Sequence, residues 1–138
     1  MLDIAALVPH AGAMCLLSGV VSWSAGRINC AAHSRLDPAN PLRRDGRLGI
    51  GCAVEYAMQA AAAHGALRDG AAQKPGYLAA LRGVRFHVGR LDDPAHGVLD
   101  VEAWVEHASS AGLIYGFAVR SEAGAVLAEG RATVTLPG

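Results

Sequence analysis

The sequence predicts an α+β domain in which one long apolar helix lies against an antiparallel sheet, and three observations carry that expectation. The stretch "GIGCAVEYAMQAAAAHG" (49–65) is almost entirely small and apolar and long enough for a helix. Nearly everything after residue 76 reads as strands separated by short turns, and two further strand-like segments precede the helix. Strands, one helix, then strands joined in hairpins is the order of an α+β domain. At 138 residues the chain makes one domain, 1–138, with no repeat, linker or low-complexity block dividing it.

The elements follow in order. Residues 15–23, "CLLSGVVSW", and 27–33, "RINCAAH", are strand-like, with "SAG" as the turn between them. In the second, Ile28, Cys30 and Ala32 share one face, while Arg27, Asn29 and His33 share the other. The turn-rich "SRLDPANPLRRDGR" (34–47) holds two prolines that forbid a long helix. The helix then runs to about Arg68 and stops near Gly70. Residues 76–91 are long and extended. In 99–106, Leu99, Val101, Ala103 and Val105 alternate with Asp100, Glu102, Trp104 and Glu106. Residues 113–120 and 126–136 form a hairpin around "SEAG". The helix lacks the polar back of one resting on a one-sided sheet, so a second surface is expected to cover it, most simply a second copy of the chain.

Composition narrows the function. Twelve basic and twelve acidic residues cancel, and aromatic residues make up 5% of the chain, so neither the basic footprint nor the stacking side chains of a nucleic-acid binder are present. No apolar run reaches bilayer length, and "MLDIAALVPHAG" lacks the basic start of a secretion signal. Cys15, Cys30 and Cys52 are odd in number and widely spaced among apolar neighbours, which fits reduced thiols and a cytoplasmic setting. No Cys-x-x-Cys or His-x-x-x-His occurs, so neither a metal site nor a cofactor is expected.

Within the helix one residue stands apart. Glu55 and Gln59 lie one turn from each other and are the only strongly polar side chains between Ile50 and Ala63. A carboxylate buried in such a segment is expected to hold its proton and serve as a donor. The alternative is a structural acid that pairs with an arginine or reaches solvent at the helix edge. Gly49 and Gly51 at the helix start offer bare amides for a developing oxyanion, or simply permit close packing. Of six histidines, His10 is the best candidate base, because its loop precedes the first strand and could fold over a pocket. His33 reads as solvated, and His64 as a cation favoured by the helix C-terminus. Arg43, Arg44 and Arg47 form a basic run that could attract a phosphate or an acidic partner, or be a solvated loop.

Four stretches in the right order carry a resemblance. "LVPHAGAMCLLSGVVSW" resembles the "PH-x-x-P" opening of the hot-dog β-hydroxyacyl-ACP dehydratases, and "AVEYAMQAAAAHG" their central-helix "E-x-x-A-Q" signature. "GYLAALRGVRF" is similar to the strand after that helix. With "NPL…DGRL" and the closing "GRA-x-V-x-L", the chain is most similar to the dehydratase-like branch of aryl-polyene and related lipid or polyketide clusters. The resemblance covers nearly the whole chain. It implies the hot-dog fold, a long central helix wrapped by an antiparallel sheet. It also implies a homodimer joined edge to edge, or a heterodimer with another hot-dog chain, and a substrate thioester carried on acyl carrier protein or CoA.

By that resemblance Glu55 is the acid that expels the β-hydroxyl as water, a histidine removes the proton from C2, and Gln59 positions the substrate. The chain departs from the pattern at the "GHFPG" loop, which supplies the histidine in the standard enzymes; here "DPANPLRRDG" puts Pro41 in its place. Ala13 and Ser18 also replace the usual proline and aspartate of the opening motif. The expectation is therefore a 3-hydroxyacyl-carrier dehydratase with Glu55 as acid and His10 as relocated base. Amides of Gly49 and Gly51 would serve as oxyanion donors, and Arg43, Arg44 and Arg47 as the carrier contact. The alternatives are an acyl thioesterase on the same fold and a non-catalytic subunit that binds the carrier.

Overall fold

A computed structural model describes residues 15–70 and 77–135. Strands β1 (Gly19–Trp23) and β2 (Arg27–Ala32) precede helix α1 (Ala53–Asp69), and β3 (Tyr77–Phe86), β4 (Leu99–Ala108), β5 (Gly112–Arg120) and β6 (Val126–Thr135) follow it. Together they build one antiparallel sheet in the order β1-β2-β4-β5-β6-β3, with α1 packed on one face. This is the α+β, hot-dog architecture the sequence implied. The first strand is shorter than expected: residues 15–18 precede it without regular pairing, although Ser18 N–H donates to the Ala31 carbonyl at 2.8 Å.

Period-two alternation decides which side chains meet the helix. Ile28, Cys30 and Ala32 of β2 and Leu99, Val101 and Ala103 of β4 are fully buried, and the register sets Ile28 beside Ala103 and Cys30 beside Val101. On β5, Leu113, Tyr115, Phe117 and Val119 continue those rows. Burial pushes the Cys30 thiol up to about 12, which leaves it an inert core residue. None of the three cysteines forms a disulfide. The opposite face carries charge: Glu102, itself buried, takes hydrogen bonds from Arg27 and from Arg120 (2.7 Å), and Arg131 Nε donates to Glu106 at 2.6 Å.

A 3-10 turn, Ile50–Cys52, leads into α1, which ends at Gly70 in the left-handed conformation with its N–H on the Ala66 carbonyl. Ala53, Tyr56, Ala57, Ala60, Ala63 and Ala66 turn toward the sheet and are buried, small side chains that let the helix lie close to it. A second stripe is left open. Gly51 and Glu55 are exposed, and Met58 and Ala62 are half-buried along the same line. Val54 and Met58 also join Val84 around a small buried cluster of Ala57, Phe117 and Ala132.

His64 departs from expectation. It is not a cation held by the helix C-terminus but a fully buried neutral ring. Its Nε2–H donates to the Ser24 carbonyl at 2.8 Å, which leaves Nδ1 to accept from the Tyr115 hydroxyl at 2.8 Å. Helix, hairpin turn and β5 are thereby tied through one imidazole. Burial pushes its pKa down and pushes Tyr115 up to about 12. The unfolded chain therefore takes up the His64 proton first as pH falls. Stability is full above about pH 6.5 and declines from there toward the lower folded value. His64→Gln is expected to cost about 1–2 kcal/mol at neutral pH and to flatten that slope, as urea titrations between about pH 5 and 7.5 would report.

Candidate active site

Two neighbouring elements frame the open stripe of α1. The first is the loop before the helix, whose backbone folds back on itself at Asp45–Gly46, with Arg44 N–H on the Arg47 carbonyl (2.8 Å) and Arg47 N–H on the Arg44 carbonyl (2.9 Å). The second is the segment after β3: Leu91 N–H donates to the Leu48 carbonyl (2.9 Å) and Ile50 N–H to the Gly89 carbonyl (3.2 Å). The helix start is thus fixed from both sides without a capping side chain.

Asp92 secures the loop. Its buried carboxylate takes a two-pronged bond from Arg90 (Nε 2.8 Å, Nη2 2.9 Å) and a third from Arg43 Nη1 at 3.2 Å. The hydrogen bonds from Arg90 hold the Asp92 carboxyl well below the usual carboxylate range. Arg43 further donates through Nε to the Asp37 carbonyl (2.9 Å) and through Nη2 to the Arg35 carbonyl (2.7 Å). The basic run of the sequence therefore divides. Arg43 is a half-buried strut of the loop, whereas Arg44 and Arg47 are exposed and form no ion pair among the described residues.

Glu55 sits in the first turn of α1 on the open stripe. Its side chain is exposed in the single chain, not enclosed as the apolar composition of the helix suggested, because the sheet covers the other side of α1. Among the described residues it makes no ion pair or hydrogen bond. Cys52, one turn earlier, is half-buried with its thiol 3.9 Å from the Leu42 carbonyl. Burial pushes that thiol up, the Glu55 charge adds to the effect, and Arg44 opposes it. Acid, thiol and guanidinium hence lie within electrostatic reach at the helix start. Gly49 and Gly51 are exposed beside them, and a Cβ built on either would meet nothing within 4 Å. Among the described residues, no packing asks for glycine at these two positions.

Gln59 faces inward. It is 2% exposed, and its Oε1 accepts from Leu16 N–H at 2.8 Å. A polar circuit continues from there: Ser34 Oγ donates to the Leu16 carbonyl (2.6 Å), Tyr56 Oη donates to Ser34 Oγ (2.8 Å), and Asn40 Nδ2 donates to Tyr56 Oη (3.0 Å). The glutamine thus holds the strand entry onto the helix. Nothing in the spacing of the sequence marks Ser34, Asn40 or Tyr56 as its companions. His10 lies outside the described residues. His33 is exposed as expected, while His87 meets Glu129 (2.7 Å) and His96 the Arg90 carbonyl (3.0 Å), so no described histidine pairs with Glu55. Among the described residues no group of three histidine, cysteine or acidic side chains is placed to hold a metal ion, and no helix is long and apolar enough to cross a membrane.

The family model described as ApeP-like, ApeP dehydratase, matches residues 2–138. The chain belongs to the ApeP-like dehydratase family. Among solved structures, this ApeP-like chain is similar to the dehydratase heterocomplex ApeI:P from Xenorhabdus doucetiae, with 25% identity, a TM-score of 0.82, and coverage of 100% of this chain and 93% of that one. It shares the fold of the PaaI protein of E. coli (15% identity, TM-score 0.63, 85% and 81% covered). It also shares the fold of a hypothetical thioesterase from Streptococcus pneumoniae with coenzyme A (14% identity, TM-score 0.60, 86% and 84% covered). A comparison with curated proteins gave no significant match. ApeP-like membership and fold agree with a dehydratase-like function.

Proposed function

We propose that the chain converts a 3-hydroxyacyl thioester, borne on acyl carrier protein or CoA, to the trans-2-enoyl thioester and water, as one subunit of a hot-dog assembly. The observation that carries this reading is the exposed carboxylate of Glu55 in the first turn of the open stripe of α1, at a helix start with bare glycine backbone, in a chain of the ApeP-like family. A second hot-dog chain laid over this stripe removes the acid from water, and burial favours the neutral carboxylic acid. Glu55 then gives its proton to the departing C3 hydroxyl while a base takes the proton from C2, and the C2–H electron pair becomes the new double bond. Amides at Gly49 and Gly51 stabilise the thioester oxygen as charge develops on it. His10 is the candidate base in this chain. Leu81 and Phe86, 42% and 47% exposed, with Val54, Met58 and Val84, give an apolar wall suited to an acyl chain or to the covering partner.

A second reading is favoured by one observation: no described histidine meets Glu55, so the chain could serve a partner's active site as a carrier-binding subunit. Supplying purified protein with 3-hydroxyacyl carrier thioesters separates the readings. Enoyl thioester formed by the chain supports the lyase, free thiol supports an acyl thioesterase, and neither product with intact carrier binding leaves the subunit. In the lyase, Arg44→Ala together with Arg47→Ala is expected to raise KM several-fold for a carrier-linked substrate and to leave a short pantetheine thioester unaffected.

A further inference from the structure

Resting on the reading of this chain as one subunit of a hot-dog assembly, the edge of the sheet carries a further inference. Strand β3 is ten residues long and pairs only with β6, so its outer edge is free among the described residues. Its register against β6 slips between Arg82 and Arg85: Arg82 lies opposite Arg131 and Arg85 opposite Glu129, so three steps on β3 match two on β6. Gly83 absorbs the extra residue at φ +59. Arg131 and Glu129 share the face of the sheet turned away from α1, and the bulge therefore brings both Arg82 and Arg85 to that face. A regular strand would have turned Arg85 toward the helix.

The charge on this face is unbalanced. Arg82 stands directly across from another arginine, an unfavourable pairing. The acids nearby are engaged: Glu106 takes Arg131 Nε (2.6 Å) and Trp104 Nε1 (3.2 Å), and Glu129 takes His87 (2.7 Å). Neither Arg82 nor Arg85 has an ion-pair partner among the described residues. Arg85, Trp104, Glu106, Glu129 and Arg131 also line a depression of about 320 Å³ beside the free edge.

We propose that this edge chooses its partner by charge: Arg82 and Arg85 disfavour a second copy of the chain and favour a hot-dog chain that bears acidic side chains on the matching face of its own edge strand. Two copies joined through β3 about a two-fold axis perpendicular to the sheet keep the same face outward. With about 3.4 Å per residue and about 4.8 Å between strands, any axis falling between Leu81 and Arg85 brings arginines of the two copies within about 10 Å. Acidic residues on a partner's strand meet those guanidinium groups, and one can enter the depression beside Arg85. Charges and a bulge are also how a protein guards a free edge against pairing. On the helix side of the same strand, however, Leu81 and Phe86 are left exposed, as a surface awaiting cover.

The test uses this chain alone. Sedimentation equilibrium is measured for the wild type, for Arg82→Glu combined with Arg85→Glu, and for their equimolar mixture, at about 0.02 M and about 0.5 M salt. The proposal expects the mixture to associate on the order of tenfold more tightly than either protein with itself at low salt, and to lose that advantage at high salt. It also expects wild-type self-association to strengthen as salt is added. Should the double charge reversal fail to fold, Arg82→Gln combined with Arg85→Gln is expected to self-associate more tightly than the wild type. A wild-type dimer as tight at low salt as at high, with statistical mixing, overturns the proposal. So does the absence of association in every sample, which would make β3 a guarded free edge. Because the readout is association, it fails or succeeds independently of whether the chain dehydrates a thioester.

Discussion

Glu55→Gln is expected to lower dehydration about 100- to 10,000-fold while leaving the fold intact, the range by which a positioned proton donor accelerates such a step. The side chain is exposed and without a partner among the described residues, so exchanging carboxyl for amide breaks no internal contact. The amide keeps the shape and much of the polarity but cannot give a proton to a departing hydroxyl. The loss is therefore expected in kcat, with KM little changed, since Glu55 acts on charge that appears only in the transition state. Steady-state rates beside thermal unfolding curves check both halves of the expectation. A fall in unfolding temperature parallel to the fall in rate would instead make Glu55 a structural acid.

Asp92→Ala is expected to produce the largest loss of stability, about 3 kcal/mol, read from urea unfolding. Removing the carboxylate leaves Arg43 beneath the loop with its charge uncompensated and frees Arg90 from its two-pronged bond. The pH dependence follows from the same contacts. Because the folded carboxyl lies well below the ordinary value of about 3.9, its contribution is complete above that pH. It is lost only as pH falls through the folded value. Asp92→Ala is thus expected to destabilise throughout the neutral range, in contrast to His64→Gln, whose effect fades toward acid. Since Asp92 fixes the loop that carries Arg44 and leads to Gly49, a loss of activity should accompany the loss of stability.

The strands were legible because a half-buried strand writes its two faces as alternation, and β2 and β4 do so residue by residue. The helix was legible for its length and its apolar surround, and the lack of a polar back pointed to a surface that the sheet does not cover. Which stripe stays open was not legible. That depends on how α1 is rotated on the sheet, and a helix rich in alanine offers little contrast from one face to another. Glu55 was accordingly expected to be enclosed, and in the single chain it is not.

Other differences arise from partners distant in sequence. His64 meets Ser24 and Tyr115, which lie 40 and 51 positions away, and no local pattern distinguishes such a tie from a histidine favoured by the helix dipole. Arg43 and Arg44 are adjacent and identical in type, yet only the first reaches Asp92, a residue that no motif singled out. Three positions apart, Arg82 and Arg85 would face opposite ways in a regular strand. The bulge at Gly83 that unites them is a local irregularity rather than a period.

Reversible addition of water across C2 and C3 of an acyl thioester at the Glu55 stripe leaves a carbon-bound isotope label. A trans-2-enoyl carrier thioester is incubated with the chain in deuterium oxide and the acyl group analysed by mass spectrometry. The expected product is a 3-hydroxyacyl thioester with a single deuterium at C2, formed by the wild type and lost with Glu55→Gln. An enoyl thioester recovered unlabelled, or one hydrolysed to the unlabelled acid, would contradict it.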